Sequence, residues 1–89
     1  MKFIKLKINN QYLIAPKLFK DKRGIFSRSY CLETLKKKKL NFIAKQGNIS
    51  ENPFKGTLRG FHYQNNHKDS KIISCISGKF LNITIDIRK

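Results

Sequence analysis

The 89-residue sequence predicts an all-β fold, a sandwich or barrel carrying one short helix. Three observations carry that expectation. Apolar and polar residues alternate with period two at both ends of the chain. Turn-forming residues recur at short intervals between the apolar runs, and a single stretch switches to helical spacing. Hydrophobic residues at 39% and ten Phe and Tyr rings give one small domain enough apolar surface for a marginal core, because a chain of this length buries roughly 60–65% of what its unfolded form exposes.

In chain order, Ile4, Leu6 and Ile8 alternate with Lys5, Lys7 and Asn9, predicting a half-buried strand that ends at the Asn9-Asn10 turn signal. Residues 12–15 predict a second short strand, stopped by Pro16. Asp21-Lys22-Arg23-Gly24 reads as a turn, and residues 25–30 as extended chain. The period then changes. Leu32 and Leu35 fall at helical spacing, Ser29 is a candidate N-cap, and Lys36, Lys37, Lys38 and Lys39 close the C-terminal end, where cations suit the helix dipole. Residues 42–50 predict a strand with Gln46 and Asn48 on one face, and 53–56 a loop. Residues 57–64 predict a strand or strand edge, 65–70 a polar loop and 71–76 a strand. Ser77-Gly78-Lys79 predicts a hairpin turn. In residues 80–88 Leu81, Ile83, Ile85 and Ile87 alternate with Asn82, Thr84, Asp86 and Arg88. The sequence stops directly after that strand with no segment to cover its edge, so it reads as unfinished.

The net charge of +15 would fit nucleic acid or an anionic surface if it were patterned for one. It is not so patterned. Sixteen of the twenty cations are Lys, whereas base and phosphate recognition favours the planar fork of Arg. Ile, Lys and Asn make up 36 of the 89 residues, a bias that an AT-rich coding sequence produces by itself. Cys31 and Cys75 lie 44 positions apart and predict two reduced thiols. The first residues lack an apolar run of signal-peptide length, and no stretch approaches membrane-spanning length. The expectation is a soluble, cytoplasmic protein.

One segment carries candidate chemistry, Leu58-Arg59-Gly60-Phe61-His62-Tyr63-Gln64. In an extended strand Gly60, His62 and Gln64 share a face opposite Arg59, Phe61 and Tyr63. A base on a wall, beside a small residue that leaves room for an approaching group, is what a proton-abstracting pocket requires. The same spacing equally fits a half-buried strand whose histidine is satisfied by a neighbour. His62 and His67 are the only histidines, too few for a metal-binding cluster.

Several segments in order resemble one family. They are Asp21-Lys22-Arg23-Gly24-Ile25-Phe26, Gln46-Gly47-Asn48, the motif Leu58 to Gln64, Lys71, and Ile83-Thr84-Ile85-Asp86-Ile87-Arg88-Lys89. Together they resemble the N-terminal half of the dTDP-4-dehydrorhamnose 3,5-epimerases. The resemblance implies a cupin-like jelly-roll β-sandwich, present here as a single partial domain over 1–89 with its C-terminal half missing. It also implies a homodimer, or a complementing C-terminal fragment, acting on a dTDP-sugar without metal or organic cofactor. By this resemblance His62 is the base and Lys71 stabilises the enolate, while Arg59 contacts the diphosphate. Gln46 and Asn48 add polar contacts, Phe26 lies against thymine, and Arg23 reaches the partner subunit's site. Asp86 and Arg88 form a structural polar pair or support the pocket wall.

The family carries a glutamate two residues after the Phe of its R-G-x-F element, where this chain has Arg28. The opposite-face tyrosine acid, and the aspartate that pairs with the histidine, would fall beyond Lys89. Tyr63 does not replace that acid, since it adjoins His62 and takes the other face. The expectation is therefore an epimerase fragment with little or no activity alone and a tendency to aggregate. The competing expectations are a non-catalytic dTDP-sugar binding module and a cationic nucleic-acid binder.

Overall fold

Two antiparallel hairpins and one helix make up the regular structure, a computed structural model that describes residues 1–64 and 69–88. The polar loop expected around His67 falls largely outside the described residues, as does Lys89. The chain divides into two units, one formed by residues up to Asn41 together with those from Leu81 onward, the other by Phe42–Phe80.

In the first unit, β1 (Lys2–Lys5) pairs with β2 (Tyr12–Ala15), matching Phe3 with Ile14 and Lys5 with Tyr12. Both strands were expected, but the inner face of β1 was not. Phe3 is half-buried, its ring edge-on to Tyr12 at 6.5 Å, whereas Ile4 is 47% exposed. Successive strand residues point to opposite faces, so a sheet that buries Phe3 must expose Ile4. The aromatic, with the larger apolar surface, takes the covered side. Leu6 N–H donates to the Gln11 carbonyl at 2.9 Å and closes the turn, in which Asn10 adopts φ +65°. Asn tolerates that left-handed region better than other non-glycine residues.

β3 (Leu18–Asp21) and β4 (Gly24–Ser27) form the second hairpin around Lys22 and Arg23. The sequence predicts the turn and β4 but not β3. Every residue of both strands is exposed, so no buried face imposes the alternation by which a strand is recognised. Gly24 adopts φ +133°, a conformation that side chains rarely tolerate. The Asp21 carboxylate locks the loop, accepting from Arg23 N–H at 2.8 Å and from its guanidinium Nη2 at 2.6 Å.

The helix α1 spans Leu32–Lys37, shorter than the spacing predicts. Its N-cap is Cys31, in extended conformation with φ −150°, and Ser29 lies outside the helix. The C-terminus closes by hydrogen bonding. Lys39 N–H donates to the Lys36 carbonyl and Leu40 N–H to the Leu35 carbonyl, each at 2.9 Å. This is the Schellman arrangement, with Lys39 at φ +59° in the position usually held by glycine. Lys36 and Lys37 lie in the last turn, as the dipole argument anticipates. Lys38 Nζ sits 5.7 Å from the Phe3 ring centroid. Leu35, 3% exposed, is the buried apolar side chain among the described residues.

Arg88 ties the end of the chain to the first hairpin. Its Nε and Nη2 each meet an Asp86 carboxylate oxygen at 2.8 Å, and Nη2 also donates to the Asn9 carbonyl at 3.0 Å. The expected polar pair is present. It holds the Asp86 carboxyl down to about 2, chiefly through the Arg88 side-chain hydrogen bonds.

The strands expected at 42–50, 57–64, 71–76 and 80–88 do not form ladders among the described residues. Alternation selects which face of a strand is buried, but it supplies neither the neighbouring strand nor the covering layer. Leu58 and Leu81 are 89% and 84% exposed, which shows that no such layer covers them. The elements that do form are those of the predicted class, all-β with one short helix.

Three outcomes follow. Lys39→Gly relieves the left-handed strain at the helix end and stabilises the first unit by about 1 kcal/mol, measured by thermal or urea unfolding. Leu35→Ala costs about 2 kcal/mol or more and reduces helical circular dichroism. The Asp86 carboxylate, followed by NMR, titrates near 2 rather than at its ordinary 3.8. Its folded value is depressed, so the clasp is fully formed above the ordinary value and is lost as pH falls through about 2.

Candidate functional site

The second unit carries five of the seven residues singled out by sequence. His62 is exposed, two residues after Gly60, whose φ is +120°. That φ lies outside the β region, so the strand alternation expected through Gly60 does not hold. A Cβ on Gly60 would meet the His62 ring Nδ1 at 3.9 Å and its backbone nitrogen at 3.8 Å. These are ordinary contacts. The glycine is therefore required by its conformation more than by the space it leaves, which revises the reason for a small residue beside His62.

Arg59 is anchored by its own neighbourhood. Its Nε donates to Asn52 Oδ1 at 2.8 Å, and Asn52 Nδ2 donates in turn to Ser50 Oγ at 3.4 Å. One face of the guanidinium is thus committed to orientation, leaving its terminal nitrogens to form the two-point contact that a phosphate accepts. Asn52 carried no signal in the sequence, because an asparagine before a proline reads as loop. Thr57 Oγ1 donates to the Phe54 carbonyl at 2.8 Å and closes the loop ahead of Arg59.

Lys71 Nζ lies 3.7 Å from Asp69 Oδ2, with both side chains substantially exposed. Such a pair is weak and opens at little cost. Gln46 and Asn48 are exposed and belong to no ladder. The ion pairs among the described residues are Asp21–Arg23, Asp69–Lys71 and Asp86–Arg88. His62 belongs to none of them. A histidine base usually has its second ring nitrogen oriented by a carboxylate or carbonyl, and no carboxylate forms an ion pair with His62 among the described residues.

Phe26 and Arg23 belong to the first unit. Phe26 pairs across the hairpin with Phe19, ring centroids 6.5 Å apart. Both rings line a cavity of about 230 Å³ with Met1, Lys17, Arg28 and Thr34. Lys17 Nζ stands 5.2 Å from the Phe19 centroid. Two aromatic rings bordered by two cations suit a flat ring that carries negative charge. Phe19 escaped the sequence reading because β3 did; a paired β3 would have placed Phe19 opposite Phe26. Arg28 Nη1 approaches Cys31 Sγ at 3.8 Å. The Cys31 thiol is pulled below its ordinary value, first by the Thr34 side chain and amide and to a smaller degree by the Arg28 charge. Both cysteines are free. Arg23 is held by Asp21, whose carboxyl is lowered by that hydrogen bond.

Among the described residues no group of three or more His, Cys, Asp or Glu is placed to hold a metal ion. None of their helices is long and apolar enough to cross a membrane.

Comparison with known proteins agrees with these motifs. The family model described as dTDP-4-dehydrorhamnose 3,5-epimerase matches residues 5–89. A protein of that name from Shigella flexneri is 34% identical over 100% of this chain and 50% of its own length. One from Salmonella typhimurium is 34% identical over 97% of this chain and 48% of its own. One from Methanothermobacter thermautotrophicus is 28% identical over 99% and 47%. The chain thus spans about half the length of the curated relatives it matches. No solved structure matches it. With the ordered motifs and a family match running from residue 5 to residue 89, the chain belongs to the dTDP-4-dehydrorhamnose 3,5-epimerase family.

Proposed function

We propose that this chain supplies the base-bearing part of a nucleotide-sugar epimerase site, in a single partial cupin-like domain over residues 1–89. The observation that carries the reading is the Leu58 to Gln64 motif inside the family match at 5–89. The substrate is dTDP-4-dehydro-6-deoxyglucose and the product dTDP-4-dehydro-L-rhamnose, made in the cytoplasm.

The 4-keto group acidifies the sugar's C3 and C5 protons. His62 takes one of them, and the electron pair of the broken C–H bond moves through the carbonyl to O4. Lys71 then releases Asp69 and places its ammonium where that enolate charge develops, in the manner of an oxyanion hole. The exposed ion pair holding Lys71 supports this role, because opening it costs little. Return of a proton to the opposite face inverts the carbon. Arg59, oriented by Asn52, holds the diphosphate, with Gln46 and Asn48 as further polar contacts. Phe26 lies against the thymine, and Arg23 reaches the site of a partner subunit.

Two groups that this chemistry needs are not among residues 1–89: a carboxylate to orient His62, and an acid on the far face. These residues act as a homodimer or with a complementing C-terminal fragment. Alone, the chain has little or no activity. A second reading, a dTDP-sugar binding module without chemistry, is favoured by the absence of a carboxylate partner for His62 among the described residues.

The test is exchange in deuterated water. The chain is incubated with the sugar nucleotide alone, and again after co-expression with the half of the Shigella flexneri relative that it does not match. We expect no deuterium at C3 or C5 alone and incorporation with the complement, reduced by at least about 100-fold in His62→Asn. Full turnover by the chain alone overturns the need for a complement. Silence in both arms overturns the epimerase reading, and dTDP binding abolished by Arg59→Ala then identifies the binding module. A second outcome concerns Asn52→Ala. It frees Arg59 and weakens dTDP binding by roughly three- to tenfold without changing the fold, read by calorimetry.

A further inference from the structure

The cavity of about 230 Å³ in the first unit sets two aromatic rings beside three polar side chains. Phe19 and Phe26 pair across the β3–β4 hairpin with ring centroids 6.5 Å apart, and they are 54% and 71% exposed. A flat ring laid on them covers apolar surface that the described chain leaves in water. The polar side chains of the lining are the Lys17 ammonium, the Arg28 guanidinium and the Thr34 hydroxyl. The lining holds no carboxylate and no side-chain amide.

Its hydrogen-bonding character is therefore that of a donor. An ammonium and a guanidinium only donate, whereas a hydroxyl donates or accepts. The Thr34 hydroxyl is already drawn to the Cys31 thiol. Neither Lys17 nor Arg28 belongs to an ion pair among the described residues. Arg28 Nη1 lies 3.8 Å from Cys31 Sγ, and a thiol sulfur is a weak acceptor that yields readily to an oxygen. Lys17 Nζ stands 5.2 Å from the Phe19 centroid, a compact charge on a flexible stem. Arg28 instead presents several donors fixed in one plane, which suits the edge of a flat ring.

A ring edge that carries carbonyl oxygens satisfies these donors, and an edge that carries an amino group does not. Pyrimidines differ at this point: thymine has an acceptor oxygen at position 4, where cytosine has an amino donor. A cytosine amino group would meet guanidinium N–H groups and leave donors on both sides unpaired.

We propose that Arg28 is a specificity-determining residue, donating to a carbonyl oxygen of the base so that the cavity takes dicarbonyl pyrimidines and rejects aminopyrimidines. This rests on the reading above that Phe26 lies against the base. It adds the residue that reads the base's edge.

The test titrates the full chain by calorimetry with dTDP, dUDP and dCDP, which share one sugar and one diphosphate. We expect dTDP and dUDP to bind within about threefold of each other, and dCDP about tenfold or more weaker. Arg28→Met keeps an apolar stem but removes the donors. It weakens dTDP and dUDP by about tenfold and leaves dCDP within about threefold, which erases the preference. Arg28→Lys keeps a donor and retains most of the preference, and helical circular dichroism is unchanged in both variants. A chain that binds dCDP as tightly as dTDP overturns the proposal, as does dUDP binding as weakly as dCDP. Equal weakening of all three nucleotides by Arg28→Met also overturns it, since a residue acting only through Cys31 or the diphosphate would give that result. Phe26→Ala separates the proposal from the reading beneath it. If dTDP affinity falls in Phe26→Ala but not in Arg28→Met, the base lies on Phe26 and only the role of Arg28 falls. If neither variant changes dTDP affinity, the placement of the base falls and the role of Arg28 falls with it.

Discussion

A strand is stable only with a neighbour on its edge and an apolar layer on its face, and most of this chain has neither within itself. The two hairpins satisfy their own hydrogen bonds, and one of them gains partial cover for Phe3, Tyr12 and Ile14. Leu35 is the side chain that becomes buried. From Phe42 onward the described residues have the alternation of strands without the ladders. The energetic reason is general: fixing each residue's backbone costs about 1–2 kcal/mol, and burial of apolar surface is what offsets it. Exposed isoleucines contribute little of that burial.

The same constraint explains the state of the site. Arg59 is ordered by two local hydrogen bonds that need no sheet, and Asp21 orders Arg23 across a two-residue loop. His62 has no such local anchor, and no carboxylate pairs with it among the described residues. The Arg59 and Arg23 contacts are local, and the Arg88–Asn9 hydrogen bond is a long-range one that is also formed. The cationic surface acts in the same direction, since self-repulsion opposes a compact state until opposite charge arrives.

Sequence disclosed the class, the Asp21–Gly24 turn, β2, the helix and the Asp86–Arg88 pair, because each rests on local chemistry. It misjudged the inner face of β1, where Phe3 takes the covered side and Ile4 is exposed. It did not disclose β3, exposed on both faces, nor Asn52, whose role depends on a partner seven residues away. The four later strands were legible as patterns, but a pattern records the surface a segment is built to bury, not whether that surface is covered. The motif around His62 marked the family correctly, while Gly60 proved to break the alternation from which its neighbours' directions were first read.

The most direct measurement is amide hydrogen exchange of the isolated chain, residue by residue. The account predicts protection at the paired amides of β1 and β2 and at Leu35, Lys39 and Leu40. It predicts exchange near the unprotected rate at 57–64 and 80–88. Slow, cooperative exchange through those two segments in a monomer would contradict it, since it would require a covering layer and strand partners drawn from within the chain.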